Sequence, residues 1–365
     1  MSNNMDIRLL GMVTLLALSA CAVKAPTPDD RPEPKKDEVE KVPYGIYLGN
    51  THSHSHFSGD ATQEGNDPAD HFRLAREAGY DFYAVTDHSQ YEQYGEAAWS
   101  AILADADRYT DASFVGIRGY EHSENNGPGA KGHLNVYNSS TYLNARADGI
   151  DLPYFQDWIC SSANSGAVVS MNHPAENQYS SFACYNESAR KHVCLIELIN
   201  GGKCNDYYPS YLIALSSGWK VSPVAGADNH SVNKIDTWPA RTGVAAKSLT
   251  RADLLEAMSQ RRTFATYEKT LKMIYYVNNH VMGSIFSSKS QTLSFEIDID
   301  TQGSNITRVD ICTAGGQVVE SRQFNARKVS WKVDVAKGSH PYFFVNAYVA
   351  DTETAVAYAA PVWIK

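Results

Sequence analysis

One repeated phrase narrows the fold more than any other feature: a short, apolar, β-prone run that ends in histidine or a carboxylate. Ile46-Tyr47-Leu48-Gly49 leads into Asn50-Thr51-His52-Ser53-His54-Ser55-His56 and on to Asp60. Phe82-Tyr83-Ala84-Val85 runs straight into Thr86-Asp87-His88, and residues 114–117 precede Gly119-Tyr120-Glu121-His122. Residues 167–171 lead to Asn172-His173-Pro174, and residues 221–227 to Asp228-Asn229-His230. Helical stretches intervene. Asp67 suits an N-cap, Pro68 the first helical position and Gly79 the helix end, with Phe72, Ala75 and Ala78 on one face. Strands alternating with helices predict an α/β body, and in barrels of that class the carboxyl ends of the strands carry the chemistry.

The residue types at those ends suit metal ions. Two histidines two apart on an extended segment, as in His52-x-His54, point the same way and can share one ion. One such pair is weak; the repetition along the chain carries the weight. Imidazole mixed with carboxylate, and no C-x-x-C anywhere, favours zinc, manganese or iron(II) in an open hydrolytic site over a thiolate zinc site. The formal net charge of −9 leaves no basic surplus for a nucleic-acid backbone, so nucleic acid is not the expected partner.

The N-terminus reads as an address. Residues 9–20 form an apolar run too short to span a bilayer and suited to a signal peptide. Its end, Leu18-Ser19-Ala20-Cys21, resembles the lipobox of bacterial lipoproteins, which implies lipidation of Cys21; Ala22 after it implies outer-membrane anchoring facing the periplasm. Residues 21–43, rich in proline and charge, read as a tether. Of the remaining cysteines, Cys194 could pair with Cys204 and Cys160 with Cys184; sequence does not fix the connectivity, and one cysteine must stay free.

The phrases Gly49-Asn50-Thr51-His52-Ser53-His54, Ala84-Val85-Thr86-Asp87-His88, Gly132-His133-Leu134-Asn135-Val136, Asn172-His173-Pro174 and Asp228-Asn229-His230 occur in an order that resembles the PHP (polymerase and histidinol phosphatase) superfamily of metal-dependent hydrolases. The similarity covers residues 44–268 and is greatest to the branch named after the carbaryl hydrolases (CehA/McbA). It implies a distorted seven-stranded (β/α) barrel with two or three divalent ions at its mouth. Carried over position by position, it implies a first ion held by His52, His54, Glu121 and Asp228. A second is shared through Glu121 with His133 and His173, and a third is held by Asp60, His88 and His230. His133 opens its apolar run instead of closing one, which the strand-end rule leaves unexplained.

Other residues adjoin these motifs. His122 and Asp87 are candidates beside the chemistry, Asp87 as a partner steering His88. Arg241 could meet an anionic substrate or form an ordinary ion pair. Glu197 lies inside a strand and faces either the mouth or a buried partner. Tyr91, Tyr94 and Trp99 could line an entrance or pack on the rim. His71, His192, His280 and His340 are expected at the surface. Residues 269–365 change character: seven short alternating runs with an Asn278-Asn279 turn predict a small C-terminal antiparallel β-sandwich. The leading functional expectation is a hydrolase using a metal-bound hydroxide, a phosphoesterase acting on a small anionic substrate because the loaded mouth is net positive. The same site would serve a carbamate, ester or amide hydrolase. A lipoprotein that only binds a glycan or partner is the alternative of another class.

Overall fold

A computed structural model describes residues 39–124, 131–349 and 354–365; the expected leader, Cys21 and the tether up to residue 38 lie outside them. The barrel-like part runs β1 (Gly45–Asn50), α1 (Pro68–Glu77), β2 (Phe82–Val85), α2 (Glu96–Tyr109), β3 (Val115–Ser123), β4 (His133–Tyr137), α3 (Leu152–Ile159) and β5 (Val168–Asn172). It continues with α4 (Tyr179–Phe182), β6 (Val193–Asn200), β7 (Asn205–Asp206), α5 (Tyr208–Ser216), β8 (Ser222–Gly226), β9 (Arg241–Ala246), α6 (Arg251–Ser259) and β10 (Thr263–Thr266). Pro68 starts α1 as expected, but the Asp67 side chain makes no capping bond and pairs with His56 instead, at 3.0 Å.

The sheet is mixed and curled. Strands β1, β2 and β3 are parallel, as are β5, β6 and β8, whereas β4 runs antiparallel to both β3 and β5. That reversal accounts for His133. Its register partners are Ser123 near the end of β3 and Asn172 at the end of β5, so the start of β4 lies on the same rim as the ends of its neighbours. Side-chain bonds tie β8 to β9 and β10: Thr242 Oγ1 accepts from Ala225 N (2.7 Å), and Thr263 Oγ1 donates to Pro223 O (2.9 Å).

Alternation along each strand sorts side chains into two layers. Phe82 and Ala84, Val115 and Ile117, Tyr137, Val168, Leu195 and Val224 share one apolar cluster with Leu254 and Met258 of α6. Tyr83 and Val85, Tyr120, Leu134 and Val136, Val169 and Met171, and Ile196 and Leu198 face the other way, onto the layer that includes Phe72, Ile102 and Phe155 of the helices. The first set is the inner face, and Glu121, His133, Asn172 and Glu197 continue its alternation.

The C-terminal strands are β11 (Lys272–Val277), β12 (His280–Val281), β13 (Ile285–Phe286), β14 (Thr292–Asp300), β15 (Ile306–Cys312), β16 (Val318–Ala326), β17 (Lys328–Ala336), β18 (Tyr342–Tyr348), β19 (Ala357–Ala359) and β20 (Val362–Ile364). They do not form a detached module. β12-β11-β14-β17 make a separate antiparallel sheet, but β19 pairs with β10, so β18, β19 and β20 extend the curled sheet well past seven strands. One apolar cluster, including Met273, Phe295 and Trp331 from the former and Val309, Phe343 and Val345 from the latter, joins the two. The expected Asn278-Asn279 turn is present: both residues have positive φ, and Val277 pairs with His280.

All five cysteines among the described residues are free thiols. Cys194 faces the inner cluster and donates to Lys191 O (3.1 Å), whereas Cys204 packs on the helical layer, so that expected pair is separated by the sheet itself. Cys160 and Cys184 are neighbours without a bond. Among the described residues, no helix is long and apolar enough to cross a membrane.

Candidate metal centre

The histidines and carboxylates converge on one rim because the segments after the strands are laced together. Asp228 N donates to His52 O (3.0 Å), and His54 N to Asn229 O (3.0 Å), so the segments following β1 and β8 pair side by side. Asn50 Oδ1 accepts from Ala227 N (2.8 Å). His173 and Asp228 sit at positive φ (31° and 47°), a conformation that L-residues adopt only where surrounding contacts enforce it.

Glu121 is the hub, with its side chain 1% exposed. One carboxylate oxygen faces His133 Nδ1 (3.1 Å) and His173 Nε2 (3.3 Å) and accepts from Asn172 Nδ2 (2.9 Å). The other faces His52 Nε2 (3.2 Å), His54 Nε2 (3.4 Å) and His88 Nδ1 (3.0 Å). Asp228 Oδ1 lies 3.0 Å from His54 Nε2 and 3.5 Å from His52 Nε2. Asp60 Oδ2 lies 3.3 Å from His230 Nε2 and 3.5 Å from His88 Nε2. The ligand atoms of His52, His54 and Asp228 fall within 4.8 Å of one another, as do those of His54, His88 and His230, and those of His88, Glu121 and His133. All nine expected ligands therefore meet at one rim. The group His52, His54 and Asp228 falls within the expected first site, and the other two differ from the expected partition: His88 stands beside Glu121 and His133, and His54 beside His88 and His230.

The donor set fits divalent cations. Burial alone would raise the Glu121 carboxyl, but His88, His52 and His133 hold it well below the carboxylate range. Asp228 and Asp60 are likewise held low, against burial, by His52 and His54 in the one case and by His230 and His88 in the other. Burial would lower His88, yet the Glu121 and Asp60 carboxylates push it up to about 10; burial takes His54 down to about 3. Without a cation these carboxylates can be balanced only by protonating imidazoles, and ligation requires the reverse state, anionic oxygen with neutral ring nitrogen. Two buried atoms of the cluster make no hydrogen bond: Glu121 Oε2, although three imidazoles face it, and His133 Nε2.

Supporting groups set the ring orientations. Glu197 Oε1 lies 2.8 Å from His52 Nδ1, while its other oxygen accepts from His173 N (2.7 Å) and Asn200 Nδ2 (2.8 Å). Taking the Nδ1 proton leaves the His52 Nε2 lone pair facing the cluster. Ser58 and Ser123 hydroxyls lie 3.0 and 2.8 Å from His54 Nδ1 and His88 Nδ1. Gly226 has no room for a side chain: a Cβ there would fall 1.8 Å from Glu197 Oε1.

Three residues expected near the chemistry stand elsewhere. His122 alternates away from Glu121 and packs on Phe155 of α3, where burial lowers its imidazole to about 4. Asp87 accepts from Ser55 N (2.5 Å) and Ser55 Oγ (2.6 Å), so it braces the histidine-rich loop and not the His88 ring. Arg241 is buried over the Tyr80 ring (3.6 Å) and donates to Trp238 O (2.8 Å) and Ala240 O (2.7 Å), with no face toward the rim. His71, expected at the surface, is fully buried, and its Nε2 lies 2.9 Å from Asn66 Oδ1. Asn66 in turn donates to His54 O (3.1 Å) and Ala61 O (2.9 Å). The helical spacing of His71, Phe72, Ala75 and Ala78 was the available signal.

No family model matches the chain, and no curated protein matches it. Among solved structures, a two-domain protein from Bacteroides vulgatus, described as containing a predicted PHP-like metal-dependent phosphoesterase, is 16% identical. That match covers 90% of this chain and 98% of the other, with a TM-score of 0.48. The lesion-specific endonuclease EndoQ from Pyrococcus furiosus is 13% identical over 59% of this chain and 56% of its own, with a TM-score of 0.41.

Proposed function

We propose that the protein is a metal-dependent hydrolase of the PHP type, a phosphoesterase acting on a small anionic substrate and using two or three divalent ions drawn from zinc, manganese and iron. The observation that supports this most directly is Glu121: a buried carboxylate whose two oxygens face separate groups of imidazoles, as a bridging ligand would. His52, His54, Asp228, His133, His173, His88, His230 and Asp60 complete the set. Ions held there would supply Lewis acidity and a nucleophilic water near neutral pH, so no side-chain nucleophile is required. The chain's own part is to fix the donors, through Glu197, Ser58 and Ser123, and to keep the floor dry with the inner apolar cluster. The body is read as a distorted PHP-type (β/α) barrel whose curled sheet the C-terminal strands extend and brace. The chain is further proposed to be lipidated at Cys21 and anchored in the outer membrane, facing the periplasm, with no nucleic-acid partner.

The test is metal content per chain by plasma mass spectrometry on protein purified without chelator. Two or three ions, lost in a His52→Ala, His173→Ala double variant, are expected. Hydrolysis of aryl phosphates in preference to aryl carbamates is the expected second result. Failure to retain zinc, manganese or iron(II) after reconstitution would overturn the proposal.

A further inference from the structure

The sequence offered Arg241 as the cation for an anionic substrate, and the fold buries it. A different cation takes that place. A cavity of about 110 Å³ opens beside the centre, lined by Gly202, Asp228, Asn229, His230, Lys234 and Trp238. At roughly 30 Å³ per water this is room for a few waters, or for one group the size of a phosphate or carboxylate. Asp228 and His230 belong to the ligand cluster, so a group in the cavity lies within one short linker of a group held on the centre.

The walls are preset. Trp238 Nε1 donates to Gly201 O (3.1 Å), and Arg241 holds the Trp238 carbonyl from behind. Gly202 contributes no side chain, and a Cβ there would meet nothing within 4 Å. Lys234 ends a single 3-10 turn, Val232–Lys234, whose start is fixed by Ser231 Oγ accepting from Asn233 N (3.3 Å). Lys234 is exposed, and among the described residues its ammonium has no hydrogen-bond or ion-pair partner. The Asp228 carboxylate in the same wall is turned to His54 Nε2 and His52 Nε2 (3.0 and 3.5 Å), inside the ligand cluster, where a bound cation would offset its charge. A preset cavity whose lining includes one uncommitted ammonium can take an anion that the ligand cluster itself does not hold.

We propose that this cavity is a subsite for a second small anion on the substrate, with Lys234 as its counter-ion. The preferred substrate is then a phosphoester carrying a further phosphate or carboxylate two or three bonds from the scissile group. This rests on the phosphoesterase reading above.

The experiment is titration calorimetry on the full chain, loaded with zinc or manganese and checked for metal content afterwards. The probes are propylphosphonate, 3-phosphonopropionate and ethane-1,2-diphosphonate. The two probes that carry a second anionic group are expected to bind about tenfold more tightly than propylphosphonate, the size of preference one charge-assisted hydrogen bond supplies. Lys234→Ala should erase most of that ratio, and Lys234→Arg should keep it. Comparison of the carboxylate and the diphosphonate identifies which anion the cavity prefers. An unchanged ratio in Lys234→Ala, or no preference in the native protein, would overturn the subsite. Binding of none of the three by the loaded protein would instead sink the phosphoesterase reading.

Discussion

Replacing Glu197 with glutamine probes how much of the centre is held from behind. The carboxylate is buried and receives three donors: His52 Nδ1, His173 N and Asn200 Nδ2, at 2.7–2.8 Å. A glutamine of the same shape keeps one acceptor oxygen and turns an NH2 toward a donor. At least one buried N–H is then left facing another. Hydrogen bonds to a charged acceptor are worth about 1.5–3 kcal/mol each, and an orphaned buried donor costs about 1–3 kcal/mol, so the ion-free protein should lose roughly 2–5 kcal/mol. Loss of the partner that fixes the His52 tautomer should weaken metal binding about 10- to 100-fold. Urea unfolding of the ion-free protein measures the first quantity, and competition for zinc against a chromophoric chelator measures the second. A Glu197→Gln protein that unfolds within about 1 kcal/mol of the native one and binds zinc equally well would refute the reasoning.

Gly226→Ala places a methyl 1.8 Å from Glu197 Oε1 and 2.8 Å from His52 Cβ; thermal melts should show about 1–3 kcal/mol of overpacking loss together with reduced zinc retention. Burial holds His71 at about 3, whereas an unfolded histidine titrates near 6.5. The unfolded chain therefore binds the extra proton as pH falls through that window, and His71 withdraws stability from about pH 6.5 downward. In urea unfolding, the deficit of His71→Asn against the native protein should shrink by about 2 kcal/mol between pH 7 and pH 5; a deficit independent of pH would contradict this. Arg241→Lys retains the charge but loses the flat guanidinium over the Tyr80 ring and its Nη1 bonds to Trp238 O and Ala240 O, so it should cost roughly 1–3 kcal/mol with metal content per chain unchanged.

Most of the nine ligand candidates follow a short apolar run that meets a polar motif, a local pattern; His133 and Asp60 do not, and rest on the order of motifs shared with the PHP superfamily. Strand parity, also local, separates neighbouring residues at two of these ends. Phe82, Ala84 and His88 share a parity that excludes Asp87, and Val115, Ile117 and Glu121 share one that excludes His122. What could not be read locally was direction and pairing. The reversal of β4 depends on partners 10 to 40 residues away, and it alone makes the start of that strand a rim position. The same holds for the join of β19 to β10, about 90 residues apart in sequence. Residues 355–364 are apolar enough for a single strand, but Pro361 lacks an N–H, and the run divides there into β19 and β20. Burial of Arg241 followed from Tyr80, a residue of a distant segment, lying against it, whereas that of His71 was signalled by its helical spacing.

The reversed strand β4 also makes the centre a key for sheet alignment. Glu121 of β3, His133 of β4 and His173 after β5 meet at one point, although β4 runs against both neighbours. Sliding β4 by a single residue would turn His133 to the helical side and bring Leu134 inward. Cations that require all three donors therefore bind one alignment of these strands and none of its slipped competitors. Loading the centre then selects the arrangement of the sheet as well as completing the chemistry, and chelation should loosen β3, β4 and β5 as a unit before the rest of the molecule responds.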